Sequence, residues 1–154
     1  MQVKLKNVKK RAIKKYFNDE EQMKLIEEMN LANGLNLKIF DLSRTIAAKT
    51  VKVEICLQTK ISLEESYFTN TEDYVLVKNT LGAELVYEHT LERSFVPEEN
   101  EDSVRDDLIN TFKANSLDYL AAGNFPQKMA LSKLKDIKKN PYKYQVRSNA
   151  DPEE

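Results

Sequence analysis

Val51-Lys52-Val53-Glu54-Ile55-Cys56-Leu57-Gln58-Thr59-Lys60-Ile61-Ser62-Leu63 decides the fold. Every odd position but Thr59 is a large aliphatic residue, and every even position is polar or small. Successive side chains of a strand point to opposite faces, so this stretch reads as one long strand with an apolar face and a wet face. Such alternation belongs to an antiparallel sheet covered on one side, since a parallel sheet buried on both faces reads as a continuous apolar run. The fold class expected is therefore α+β: an antiparallel sheet of about four strands, with helices packed on one face.

Outward from that strand, Leu35, Leu37 and Ile39 alternate with Asn36 and Lys38 and predict a second strand reaching about Ile46. The polar stretch 64–73 reads as a hairpin loop. Tyr74–Val77 and Ala83–Phe95 then supply strand residues, joined by a turn at Asn79-Thr80-Leu81-Gly82. In the second of these, Leu85, Tyr87, His89, Leu91 and Arg93 share one face, while Glu84, Val86, Glu88, Thr90 and Glu92 share the other. On the N-terminal side, Asp19-Glu20-Glu21 followed by Met23, Ile26 and Met29 predicts a helix over 19–32, closed by Asn33-Gly34. Residues 2–17 fit a helix and a strand equally well.

The strongest helix signal covers 103–122. Ser103 is placed as the N-cap, Asp106 and Asp107 stand in the first turn, and Val104, Leu108, Ile109, Phe112, Leu117 and Leu120 recur at helical spacing. It ends at Ala122-Gly123-Asn124-Phe125-Pro126. Met129, Leu131, Leu134 and Ile137 predict a short second helix, broken by Asn140-Pro141. A chain of 154 residues fits one core. It reads as a single domain over 1–146 and a polar, mobile tail at 147–154.

Charged residues make up 32% of the chain, yet the formal net charge is only −1, which argues against a global electrostatic partner such as DNA. The charge is arranged in blocks. Residues 1–18 carry seven basic groups and no acid, and residues 98–107 carry six acids against Arg105 alone. The single Cys excludes an internal disulfide and suits a reducing, cytoplasmic setting. No apolar run reaches membrane-spanning length, so membrane insertion is not expected.

Chemistry is sparse. The three glycines have no phosphate-cradling spacing, and one His with one Cys does not make a structural zinc site. Cys56 falls on the wet face of its strand with no His nearby to activate it. The chain is expected not to be an enzyme and to use no cofactor.

The order of elements, with the long helix ending in Gly123-Asn124-Phe125-Pro126-Gln127 and apolar Met129 and Leu131 beyond it, resembles the bacterial export chaperone SecB and its atypical relatives. The strand Val51–Leu63, running into Glu64-Glu65-Ser66-Tyr67-Phe68, is similar to that family's central strand and the turn after it. The likeness covers about 35–150, with 1–18 as a possible first strand. It implies an ATP-independent, oligomeric chaperone that holds unfolded polypeptides in apolar grooves. The tail has no Cys or His, unlike the zinc-bearing ending by which typical members engage the translocation ATPase, so the resemblance bears on the fold more than on the export role.

Two apolar stripes are the candidates for binding polypeptide: Met23, Ile26 and Met29, and Phe125, Met129, Leu131 and Leu134. Ordinary core packing is the competing reading of both. The outward row Lys52, Glu54, Cys56, Gln58 and Lys60 is the candidate face for another subunit or partner. Two further classes stay open. One is a small interaction protein of a phage or mobile element that binds one folded host target. The other is nucleic-acid binding through residues 1–18, which the near-neutral charge disfavours.

Overall fold

The computed structural model describes residues 23–144. The expectations placed on 1–18 and on the 147–154 tail lie outside those residues. The fold is α+β, as the alternating strand requires. In chain order come β1 (Lys24–Asn30), β2 (Asn36–Asp41), β3 (Arg44–Ala47), β4 (Thr50–Ser62), helix α1 (Thr71–Leu81), β5 (Glu84–Pro97), helix α2 (Glu101–Ala121) and helix α3 (Phe125–Lys139). The strands form one five-stranded antiparallel sheet in which β1 pairs β2, and β4 pairs β2, β3 and β5.

β4 is the axis of the sheet. Val51, Val53, Ile55, Leu57 and Ile61 are all buried, at no more than 3% exposure, as the quoted stretch demands. Lys38 opposes Gln58 and Asp41 opposes Ile55, while Arg44 opposes Lys52 and Thr45 opposes Val51. From Lys38 to Thr45 the partner numbers fall in one register, which shifts only between Thr45 and Ala47, so β2 and β3 are two halves of one strand along the same edge of β4. At the break, Asp41 Oδ1 accepts from the Ser43 amide (2.9 Å) and Ser43 Oγ accepts from the Glu54 amide (3.1 Å). A serine hydroxyl thus replaces one backbone rung.

Two expectations are corrected. Within its described part, 23–32, the helix expected over 19–32 is instead strand β1, residues 19–22 lying outside the described ones, and Asn33-Gly34 turns a hairpin into β2 rather than capping a helix. The loop closes with Leu31 N–H donating to Leu35 O (2.7 Å) and Gly34 N–H donating to Leu31 O (2.9 Å). Gly34 takes φ +92°, a conformation glycine adopts without strain. The helical stripe Met23, Ile26, Met29 is undone by the alternation of a strand, which puts Ile26 on the face opposite Met29. Sheet pairing outweighs a weak helical period here.

The second correction concerns 64–81. There is no hairpin loop and no strand at Tyr74–Val77. A 3-10 turn at Glu65–Tyr67 leads into α1, whose N-cap Asn70 accepts from the Asp73 amide (2.9 Å). Glu72 and Asp73 fill the first turn, and Gly82 (φ +95°) closes the helix. Tyr74, Val75 and Val77 carry β propensity, but the cap and the glycine decide the matter, and only Val77 is fully buried.

Smaller shifts occur elsewhere. α2 starts at Glu101, and Ser103 is not its cap; its hydroxyl donates to Asn100 O (3.1 Å) within the first turn. α3 is longer than expected and opens on Phe125-Pro126, where proline suits a helical first turn.

The chain divides into two compact units that share β4, β5 and α2. Among the described residues, the first comprises 23–29 with Leu37–Gln58 and Glu88–Ser116. Its core is Leu37, Ile39, Val53, Ile55 and Leu57 from the sheet with Leu108, Ile109 and Phe112 from α2. Arg105 of α2 pairs with Asp41 (3.2 Å) and Lys113 with Glu27 (2.7 Å), so the odd positions of the strands face the helix.

Among the described residues, the second unit comprises Asn30–Asn36, Thr59–Tyr87 and 117–144. Phe125 is its centre, 2% exposed and edge-on to Tyr87 (5.6 Å between rings) and to Tyr119 (5.2 Å). Ile61, Val77, Leu85, Leu120, Ala130 and Ile137 are buried in the same unit. Asn33 ties its loop to the end of α2, donating from Nδ2 to Leu120 O and Ala122 O at 2.8 Å each. These are carbonyls the helix itself leaves unpaired.

Candidate functional site

The outward face of β4 is built from three strands. Strand alternation sets Lys52, Glu54, Cys56 and Gln58 on it, and β5 brings Glu88 and Glu92 to the same side. Lys52 Nζ lies 3.1 Å from Glu92 and 4.0 Å from Glu54, and Arg44 of β3 pairs with Glu54 at 2.7 Å. Glu88 accepts from Gln58 Nε2 (3.1 Å) and from the Cys56 thiol (3.5 Å). Lys52, Glu54 and Gln58 are half-buried and Cys56 is only 6% exposed, while Arg44, Glu88 and Glu92 stay exposed around them. The row is largely satisfied within one sheet face, with Lys60 exposed beyond it.

Cys56 is chemically quiet. Burial, reinforced by the negative charge of Glu88, pushes its thiol up to about 12. A thiolate is the nucleophilic form, and this environment withholds it. His89 stacks on Phe112 (6.0 Å, 29° between planes) in the packing of the first unit. Among the described residues no three of His, Cys, Asp and Glu converge to hold a metal ion. No described helix is long and apolar enough to cross a membrane.

The stripe Met23, Ile26 and Met29 is not one surface. Met23 and Met29 are half-buried, whereas Ile26 is 38% exposed and Leu25 next to it 46%. The stripe of α3 is divided as well. Phe125 is core, Met129 and Leu134 are half-buried, and Leu131 is 39% exposed. In the same unit Val86, Tyr119 and Tyr142 also remain exposed.

A residue the pattern did not single out stands apart. Phe95, near the end of β5, is 78% exposed and has φ +56°. A bulky side chain in the left-handed region is a true outlier. Its effect on the strand is to shift the alternation by one, so that Val96 (4% exposed) points inward while Phe95 points to water. Lys49 in the β3–β4 turn is also left-handed (φ +52°), and its carbonyl accepts from the Glu98 amide (3.0 Å) just past the strand. The adjacent apolar pair Phe95-Val96 was the available signal, because two neighbouring apolar residues break a period of two.

The fold thus defines an antiparallel-sheet α+β protein with an exposed phenylalanine near one strand end. No family model, curated protein or solved structure matches the chain.

Proposed function

We propose that the chain is a non-enzymatic protein-binding domain that holds unfolded polypeptides without ATP, in the manner of the SecB chaperones, and does so as a homo-oligomer. The observation that carries this reading is Phe95: a large apolar side chain kept in water by a backbone conformation that bulky residues avoid. Both features cost free energy in the isolated chain, and a partner that covers the ring recovers part of that cost. Exposed Leu25 and Ile26 in one unit and Leu131 and Val86 in the other add further apolar contact area.

The test is light scattering from an aggregating, chemically unfolded protein. The wild-type chain is expected to suppress aggregation near equimolar ratio, and Phe95→Gly to lose most of that effect while remaining folded. No suppression by the wild-type chain sinks the holdase reading. Phe95 also favours a second reading, since a single preorganised aromatic anchor suits a pocket on one folded target. One stoichiometric co-purifying protein, lost with Phe95→Gly, distinguishes that case.

A further inference from the structure

Asn33 is the one asparagine of the chain that a glycine follows. No side chain shields the glycine nitrogen in such a step, and the pair carries a reaction of its own. The Gly34 nitrogen, giving up its proton, attacks Cγ of Asn33. The new C–N bond closes a succinimide, and the side-chain nitrogen leaves as ammonia. Water then opens the ring to aspartate or isoaspartate, with no oxidation or reduction. The attack needs a carboxamide free to turn and a glycine N–H free of its acceptor. The fold grants neither. Asn33 Nδ2 donates to Leu120 O and Ala122 O at 2.8 Å each, Oδ1 accepts from the Leu35 amide (3.2 Å), and the Gly34 N–H donates to Leu31 O (2.9 Å). All these residues belong to one compact unit. Gly34 is exposed and Asn33 only half-buried, so water reaches the loop and hydrogen bonding is what holds the reaction back.

We propose that Asn33-Gly34 is a deamidation site held closed by the fold: it reacts when the β1–β2 loop lifts from the end of α2, and the product keeps the loop from docking again. The second half follows from the donors. The carboxamide offers two N–H groups and spends both on carbonyl oxygens, whereas a carboxylate has none and only accepts. In that place it faces two carbonyl oxygens at the negative end of the α2 dipole, where an anion is disfavoured. Isoaspartate also lengthens the backbone by a methylene, inside a loop closed by the Leu31 N–H to Leu35 O bond (2.7 Å). An opening that the asparagine reverses is made permanent by its reaction. The side chain that ties the loop to α2 is thus also the group that records its release. This inference goes beyond the function proposed above and stands without it.

The experiment follows aspartate and isoaspartate at position 33 by peptide mass spectrometry while the full chain is held at mildly alkaline pH, native and in urea. The native chain is expected to convert at least about thirtyfold more slowly than the unfolded one, because only the opened fraction reacts. Phe125→Leu loosens the core of the same unit without touching the loop, and is expected to speed the native reaction about tenfold. Urea below the unfolding transition is expected to accelerate the wild-type chain in the same way, independently of any variant. Asn33→Asp supplies the product directly. It is expected to stay folded by circular dichroism while its Gly34 and Leu35 amides exchange hydrogen at least about tenfold faster, and the deamidated wild-type fraction, separated by ion exchange, is expected to match it. Native and unfolded chains converting at one rate, a native rate indifferent to both Phe125→Leu and urea, or loop amides as protected after deamidation as before it overturns the proposal. None of these readouts involves aggregation, so failure here leaves the holdase reading to its own test.

Discussion

The hydroxyl of Thr59 lies on the apolar side of β4, 2% exposed, and among the described residues its Oγ1 has no hydrogen-bond partner. Thr59 is also the one position that interrupts the aliphatic row of residues 51–63, so the defect shows in the alternation pattern itself. Replacing it by Val removes a desolvated polar group and keeps the branch. Thr59→Val is expected to raise stability by about 1 kcal/mol in thermal or urea unfolding. Cys56, three residues earlier, shows the opposite limit of legibility. Alternation put it on the wet face, correctly, but the contact with Glu88 that buries and silences it belongs to the tertiary pairing of β4 with β5. With its thiol pushed up to about 12, native Cys56 is expected to react with iodoacetamide at pH 8.5 at least about a hundredfold more slowly than in the unfolded chain. The raised value also fixes a sign. The folded state holds the proton more tightly than the unfolded one, so this group costs nothing below about pH 9, and stability falls as pH climbs from there towards 12. Cys56→Ala is expected to flatten that alkaline decline.

At the scale of elements, period alone identified β4, β5 and α2, because each is long; β4 and α2 carry buried apolar rows, and β5 buries Leu85 and Val96. The short elements were settled by contacts the sequence does not display. β1 has a helical count of apolar residues but lies along β2, and α1 has strand-like residues but begins at the Asn70 cap. Asn33 illustrates the point. Read locally with Gly34, it is a helix stop; in the fold it supplies two hydrogen bonds to the final carbonyls of α2, far along the chain. Asn33→Ala removes both of those bonds and the one that Asn33 Oδ1 accepts from the Leu35 amide (3.2 Å), leaving Ala122 O only the Phe125 amide (3.1 Å), and is expected to cost about 1–3 kcal/mol in urea unfolding. At Phe95 the expectation runs the other way. Glycine accepts φ +56° without the clash of a Cβ, so Phe95→Gly is expected to hold or raise the free energy of unfolding, by about 1 kcal/mol at most, even as binding is lost. A substitution that improves the fold and removes the activity marks a residue kept for its partner.

For the whole molecule, the sheet class was legible because one-sided burial writes itself into a single long strand. The candidate surfaces were less so, since a stripe on paper becomes a surface only after the element type is known. Ile26, chosen as part of a helical stripe, proves to be an exposed residue of strand β1, on the face opposite Met29. The continuous register of β2 and β3 against β4 has a further consequence, for the order in which the chain is made. That hairpin closes through the short turn at Ala48-Lys49 and is complete once residue 62 has been synthesised, whereas β5 must reach β4 across residues 63–83. Local pairing of this kind forms early, and non-local pairing waits on loop closure. During synthesis the apolar row Val51, Val53, Ile55 and Leu57 is therefore assembled well before the α2 residues that cover it, Leu108, Ile109 and Phe112, leave the ribosome. The nascent hairpin passes through a stage with an open apolar face, and that interval is when this protein is most in need of a chaperone itself.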